Sequence, residues 1–145
     1  MSDQRMSIDE RQDQLIEEFS FFDEWMDRYE EIIHLGKQLP ALDEKYKVPE
    51  NLIKGCQSQV WLHAETINGQ IIFSADSDAV ITKGLVALMI QVLSGHTSEE
   101  IINSDLYFIE KIGLVNHLSP TRSNGLLAMV KQMKNYALAM QSLAG

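Results

Sequence analysis

The chain predicts an α+β fold, a small antiparallel sheet packed against helices, and three observations carry that reading. Helical apolar patterns lie at both ends, a tight hairpin signal sits between them at Asn68-Gly69, and one helical stretch after the hairpin is apolar nearly all round. Strands and helices do not alternate as a doubly wound sheet requires. With 145 residues, 45% of them hydrophobic, the chain is expected to form a single domain over 1–145 with a real core.

Ser7-Ile8-Asp9-Glu10 has the spacing of a capping box, in which the serine and the glutamate satisfy each other's free backbone N–H groups. Leu15, Phe19, Phe22, Met26, Tyr29 and Ile33 then recur at helical spacing and read as core, with acidic residues between them. A helix is expected over 8–35, with a possible break near Ser20 and an end at Gly36. Residues 37–51 contain Pro40 and Pro49 and read as an irregular connection.

The hairpin follows. Strands over 60–67 and 70–74 flank Asn68-Gly69, which supplies the positive φ angles of a type I′ turn. That turn sets Ile67 opposite Gln70, Glu65 opposite Ile72 and Ala64 opposite Phe73. Val60, Leu62, Ala64, Ile71 and Phe73 then share an apolar face, and Trp61, His63, Glu65 and Gln70 a mixed one. Asp76-Ser77-Asp78 offers N-caps for a helix over 79–93, expected at the buried centre and stopped by Gly95. Thr97-Ser98-Glu99-Glu100 starts a short helix, 106–112 predicts another closed by Gly113, and Ser119-Pro120 opens a last helix to about residue 143.

Composition excludes several function classes. A net charge of −9 repels phosphate backbones, so nucleic acid is not an expected ligand. The N-terminal residues lack the apolar core of a secretory signal, and the most apolar stretch, 84–93, is too short to span a bilayer. With one cysteine, these features point to a cytoplasmic protein without a membrane association.

That cysteine is Cys56, within Lys54-Gly55-Cys56-Gln57-Ser58-Gln59-Val60-Trp61-Leu62. Alone it cannot form an internal disulfide, a tetrahedral zinc site or an iron–sulfur cluster site. It can be a small core residue, or it can act as a nucleophile and carry a group through sulfur. A preceding glycine and three following polar residues favour a loop-borne, functional thiol. Gly55 can hinge that loop, and Trp61 with Leu62 are candidates to shelter the sulfur. His34, His63, His96 and His117 stand in no motif that marks a catalytic base, and no metal-ligand spacing or glycine-rich phosphate loop is present. Arg122 lies in the first turn of the last helix, where the dipole disfavours a cation. It either reaches solvent or a carboxylate such as Asp76 or Asp78, or it serves as a donor beside a thiolate or charged substrate.

Gly55-Cys56-Gln57-Ser58-Gln59-Val60-Trp61, Asp76-Ser77-Asp78, Lys83-Gly84-Leu85 and Ser119-Pro120-Thr121-Arg122-Ser123-Asn124-Gly125-Leu126 together resemble the SufE family of sulfur-acceptor proteins, as does Leu39-Pro40. The likeness runs over 22–136 with four motifs in order. It implies a fold like that of the iron–sulfur scaffold proteins. It also implies that Cys56 accepts persulfide sulfur from a SufS-type cysteine desulfurase, stimulates that enzyme, and delivers sulfur to a SufBCD-like scaffold complex for iron–sulfur cluster assembly. Pyridoxal phosphate belongs to the desulfurase, so no cofactor and no metal are expected on this chain, and no independent turnover. Arg122 matches a family arginine that steadies the thiolate or persulfide. Gly55, Gln57, Ser58 and Asp78 match positions in or near the reactive loop that contact the partner. A competing reading is a single-cysteine redox sensor or peroxidase, which requires a thiol of depressed pKa. Another is an interaction module that activates a partner without chemistry.

Overall fold

The N-terminal apolar pattern is divided at the break anticipated near Ser20. In the computed structural model, which describes residues 6–144, α1 (Ile8–Phe19) and α2 (Trp25–Lys37) are separated by a turn. The Ser7–Glu10 capping box starts α1 as expected. The break lets Phe22 fold back onto Phe19, edge to face at 6.0 Å between ring centroids. Arg28 secures it, donating from Nε to Phe22 O at 2.8 Å and from Nη1 to Ile112 O at 2.7 Å. Because α2 restarts the helical phase, Ile32 becomes fully buried while Met26, expected in the core, is 61% exposed.

Gly36 does not end a helix; it lies inside α2 and is buried. A Cβ there would stand 2.7 Å from Gly84 N. A Cβ on Gly84 would press on Ile32 O and lie 2.7 Å from Ile32 Cγ2. Two glycines thus let α2 and α3 (Val80–Leu93) touch backbone to backbone.

The hairpin has the expected register. β1 (Val60–Ile67) pairs antiparallel with β2 (Gln70–Ser77), with Ile67 opposite Gln70 and Ala64 opposite Phe73, and Asn68 and Gly69 take positive φ of 53° and 79°. β2, however, continues to Ser77, so Asp76 and Ser77 belong to the sheet. The N-cap of α3 is Ala79, without a side-chain cap bond. The expected caps do other work. Asp76 pairs with Lys47 Nζ at 3.0 Å and Lys83 Nζ at 3.3 Å, while Ser77 and Asp78 bind Gln59.

Val60, Leu62, Ile71, Phe73 and Ala75 are buried on one face of the ribbon, where β2 packs on α3. The other face is covered in part by two 3₁₀ turns, Glu44–Tyr46 and Pro49–Asn51. There Tyr46 stacks on His63 with centroids 3.6 Å apart. That stacking makes His63 a structural residue. α3 is the buried centre, with Leu85, Val86, Leu88, Met89, Val92 and Leu93 at most 1% exposed.

The remaining helices close the other side. α4 (Ser98–Ile102) begins at a Thr97–Glu100 capping box, and α5 (Phe108–Ile112) ends at Gly113, whose φ is 93°. α6 (Leu114–His117), not anticipated, turns the chain into α7 (Pro120–Ala144). α7 runs back across α4 and α3. Among the described residues no helix is long and apolar enough to cross a membrane.

Candidate functional site: a thiol between a tied loop and two helices

The segment carrying Cys56 is a loop pinned at its base. Ile53 N donates to Val60 O at 2.9 Å, and Leu52 forms a bridge with Trp61. Gln59 is held three times: its N–H donates to Asp78 Oδ1 at 3.0 Å, and its carbonyl accepts from Ser77 Oγ at 2.8 Å and Asp78 N at 3.2 Å. Gly55 supplies the bend. Its φ of +97° suits glycine, and a Cβ there would sit 3.2 Å from Ala128 Cβ on α7.

The bend turns Cys56 inward. Its side chain is half-buried, and Sγ donates to Gly125 O at 3.5 Å. Gly125 is buried in α7, and a Cβ there would lie 3.5 Å from Sγ, in contact but not in collision. Beside the sulfur is a cavity of about 100 Å³. Cys56, Gln57 and Ser58 line it from the loop, Ile81, Thr82 and Leu85 from α3, and Arg122, Gly125 and Met129 from α7.

Burial pushes the Cys56 thiol up from its ordinary pKa. The bond to Gly125 acts in the same direction, because a carbonyl accepts from S–H and repels S⁻. At rest Cys56 is therefore a protonated thiol. Asp76 behaves oppositely. Burial alone would raise its carboxyl, but hydrogen bonds from Lys47, the Ser77 N–H and Lys83 outweigh that and hold it below the usual range.

Of the residues singled out from sequence, Cys56, Gln57, Ser58 and Arg122 meet around the cavity, and Gly55 shapes the loop that leads into it. Arg122 is exposed, with its backbone N–H on Ser119 Oγ at 3.3 Å; Asp76 is taken by the two lysines instead. Asp78 does not line the cavity and reaches the loop only through Gln59. The shelter is also not built from Trp61 and Leu62. Leu62 points into the core, and Trp61 is on the opposite face, with Lys47 Nζ 5.7 Å from its ring centroid. Helical residues wall the sulfur because strand alternation sends Trp61 away from α3. Thr82 was the overlooked member. Its residue type does not mark it, because α3 also carries Lys83 and Gln91.

Among the described residues, no group of three or more His, Cys, Asp or Glu side chains is arranged to hold a metal ion. The fold and site thus define an α+β domain that keeps one thiol at a helix-walled cavity. Comparison with known proteins gives that class its family. Residues 13–137 match the model of the SufE Fe-S metabolism associated domain. An uncharacterized SufE-like protein of Rhizobium etli is 48% identical over 130 residues, covering 86% of this chain and 88% of that protein. Another, from Rhizobium meliloti, is 45% identical over 130 residues, covering 86% and 93%. The chain belongs to the SufE family, which is associated with iron–sulfur metabolism. The solution structure of a hypothetical protein from Thermus thermophilus has the same fold, with a TM-score of 0.75 at 18% identity over 93% of this chain and 97% of that one.

Proposed function

We propose that Cys56 accepts sulfane sulfur from a SufS-type cysteine desulfurase in the cytoplasm and hands it on to a SufBCD-like scaffold complex for iron–sulfur cluster assembly. The observation that carries this reading is a solitary thiol set beside a cavity with room for another atom. A second thiol nearby would attack a persulfide, release sulfide and close a disulfide, so a carrier works best with one.

The transfer is thiol–disulfide exchange in kind. The Cys56 thiolate attacks the outer sulfur of the desulfurase Cys–S–SH, the bond between the two desulfurase sulfurs breaks, and the desulfurase thiolate leaves. Cys56 becomes Cys–S–SH, and its former proton goes to solvent or to the departing thiolate. No net oxidation occurs. Arg122 at the rim of the cavity is suited to steady the thiolate and the incoming sulfur. Gly55, Gln57 and Asp78 are exposed around the loop and Ser58 is half-buried within it, which suits them to contact a partner. A thiol whose pKa is raised by burial opposes the reading as a peroxidase or redox sensor, which needs a ready thiolate.

Mass spectrometry after incubation with desulfurase and cysteine tests the proposal. The expected result is a gain of one or more sulfur atoms on the Cys56 peptide; an unmodified Cys56 beside an actively turning-over desulfurase would overturn it.

A further inference from the structure

Thr82 is a polar side chain on the wall of the thiol cavity that the resting protein leaves without a use. It lies in the first turn of α3, is 8% exposed, and lines the cavity that Cys56 borders. Its side chain has no hydrogen-bond partner among the described residues. Helical threonines commonly return their hydroxyl to the carbonyl four residues earlier, and this one does not. The hydroxyl is not sealed from the cavity: among the described residues the buried side-chain polar atom left unpaired is His63 Nε2, not the Thr82 oxygen. A donor without a protein partner on the wall of the cavity is available to a group there that accepts a hydrogen bond.

We infer that Thr82 is a sulfur-binding residue: its hydroxyl donates to the outer sulfur of a Cys56 persulfide held inside the cavity. The inference rests on the proposed acceptor role of Cys56. Space allows it, since a cavity needs only about 10–15 Å³ to admit a water and this one is about 100 Å³. Bonding requires it. In the resting thiol, Sγ donates its hydrogen to Gly125 O at 3.5 Å. Once Sγ carries a second sulfur it has no hydrogen to give, and that bond is lost. The outer sulfur, when ionised, only accepts, so the Gly125 carbonyl repels it. Thr82 on α3 presents a donor to the same space, and Arg122 adds a cation at the exposed rim. The site exchanges one polar partner for another as sulfur is loaded. Thr82 is idle before loading and engaged after it.

The test compares wild type, Thr82→Val and Thr82→Ser after loading with inorganic polysulfide, which makes it independent of any desulfurase, and again after loading with desulfurase and cysteine. Loaded protein is then exposed to cyanide, which attacks the outer sulfur, breaks the S–S bond and leaves as thiocyanate, returning Cys56 thiolate. Thr82→Val should melt no lower than wild type and release thiocyanate roughly tenfold faster, the scale set by one hydrogen bond to a charged group. Thr82→Ser should restore slow release. Thr82→Ala also lacks the hydroxyl and replaces Thr82→Val if that variant does not fold. Equal release rates in wild type and the hydroxyl-free variant, or equally fast release from Thr82→Ser, overturn the inference and leave the acceptor role standing. Loading by polysulfide but not by the desulfurase overturns the desulfurase assignment alone. A wild-type Cys56 that holds sulfur from neither source overturns both.

Discussion

Replacing Gly84 with alanine tests the packing that positions one wall of the thiol cavity. The new Cβ would press on the Ile32 carbonyl oxygen and lie 2.7 Å from both Ile32 C and Ile32 Cγ2. Carbon atoms in good contact are about 3.5–4.0 Å apart, so α3 must retreat from α2 by roughly 1 Å. Two of the three nearest atoms are backbone, so no side-chain rotation relieves the clash. Overpacking of this kind costs about 1–3 kcal/mol, here at the upper end. Helix propensity returns about 1 kcal/mol for Gly→Ala, leaving a net loss of roughly 2 kcal/mol. For a chain of this size that lowers Tm by about 4–10 °C.

Gly125→Ala is the matched control. It too is a helical glycine, but its Cβ would meet nothing closer than Cys56 Sγ at 3.5 Å. The propensity gain then stands alone, and Tm should rise slightly. Thermal unfolding followed by circular dichroism reads both variants. If Gly84→Ala melts at or above wild type, or if the two variants shift in the same direction, the backbone contact between α2 and α3 is not what holds these helices together.

Cys56→Ser should fold with stability within about 1 kcal/mol of wild type, because the hydroxyl still reaches toward Gly125 O, yet it should accept no sulfur. Desulfurase stimulation by this variant equal to wild type without added reductant would remove Cys56 from the pathway. Arg122→Ala should slow sulfur acceptance severalfold while Tm holds or rises slightly, since a cation at a helix N-terminus is disfavoured by about 0.3–1 kcal/mol. A large fall in Tm with unchanged transfer would instead make Arg122 structural. Asp76→Asn should cost about 1 kcal/mol at neutral pH through the loss of Lys47 and Lys83 as partners. The Asp76 carboxyl is held below its ordinary pKa, so this stability is full above the unfolded-state value and fades as pH falls through the folded one. Urea unfolding of both proteins should therefore converge in acid, and a gap that persists there would place the effect in packing. Alkylation of Cys56 should have its pH midpoint above that of an ordinary cysteine in the isolated protein, and nearer ordinary once a catalytically dead desulfurase is bound. A midpoint at or below ordinary in the isolated protein would contradict the sheltered thiol.

The hairpin register was legible because Asn68-Gly69 admits few alternatives and each one-residue slip would turn Leu62 and Phe73 to solvent. The capping box at Ser7 and the helix start at Thr97 were legible for a similar reason, since two local bonds define each terminus. What failed were features decided by distant contacts. Gly36 has the composition of a helix stop, and only the approach of Gly84 makes it an interior residue. Asp76 and Ser77 have the chemistry of caps, but pairing with Trp61 and Val60 claims them for the sheet. The break near Ser20 was anticipated, but the contact that secures it, Arg28 reaching Ile112 84 residues away, is displayed by no local pattern. At the site, Cys56 and Arg122 could be picked out by residue type. Thr82 could not, because its meaning comes from its place on the wall of the cavity beside Cys56.

Shelter and reactivity are opposed at Cys56, and one movement relieves both. The contacts that hide the sulfur, burial between loop and helices and the bond to Gly125 O, are also the ones that keep it protonated. Drawing the loop outward exposes the thiol and removes the cause of its raised pKa together, so access and thiolate fraction increase in the same step. The anchors indicate where that movement starts. Ile53 is fixed by a backbone bond to Val60 and Gln59 by the side chains of Ser77 and Asp78 and the Asp78 N–H, whereas the Cys56 side chain is held by a single weak sulfur contact. The base of the loop can stay in place while its tip swings about Gly55, whose φ lies where other residues rarely go. A partner that binds the open form better need supply only the small difference between the two states. Under the proposed acceptor role, withdrawal would reverse the order of events: the loaded sulfur would return to the cavity, where Gly125 O would no longer have a hydrogen to accept from Sγ and Thr82 would have one to give.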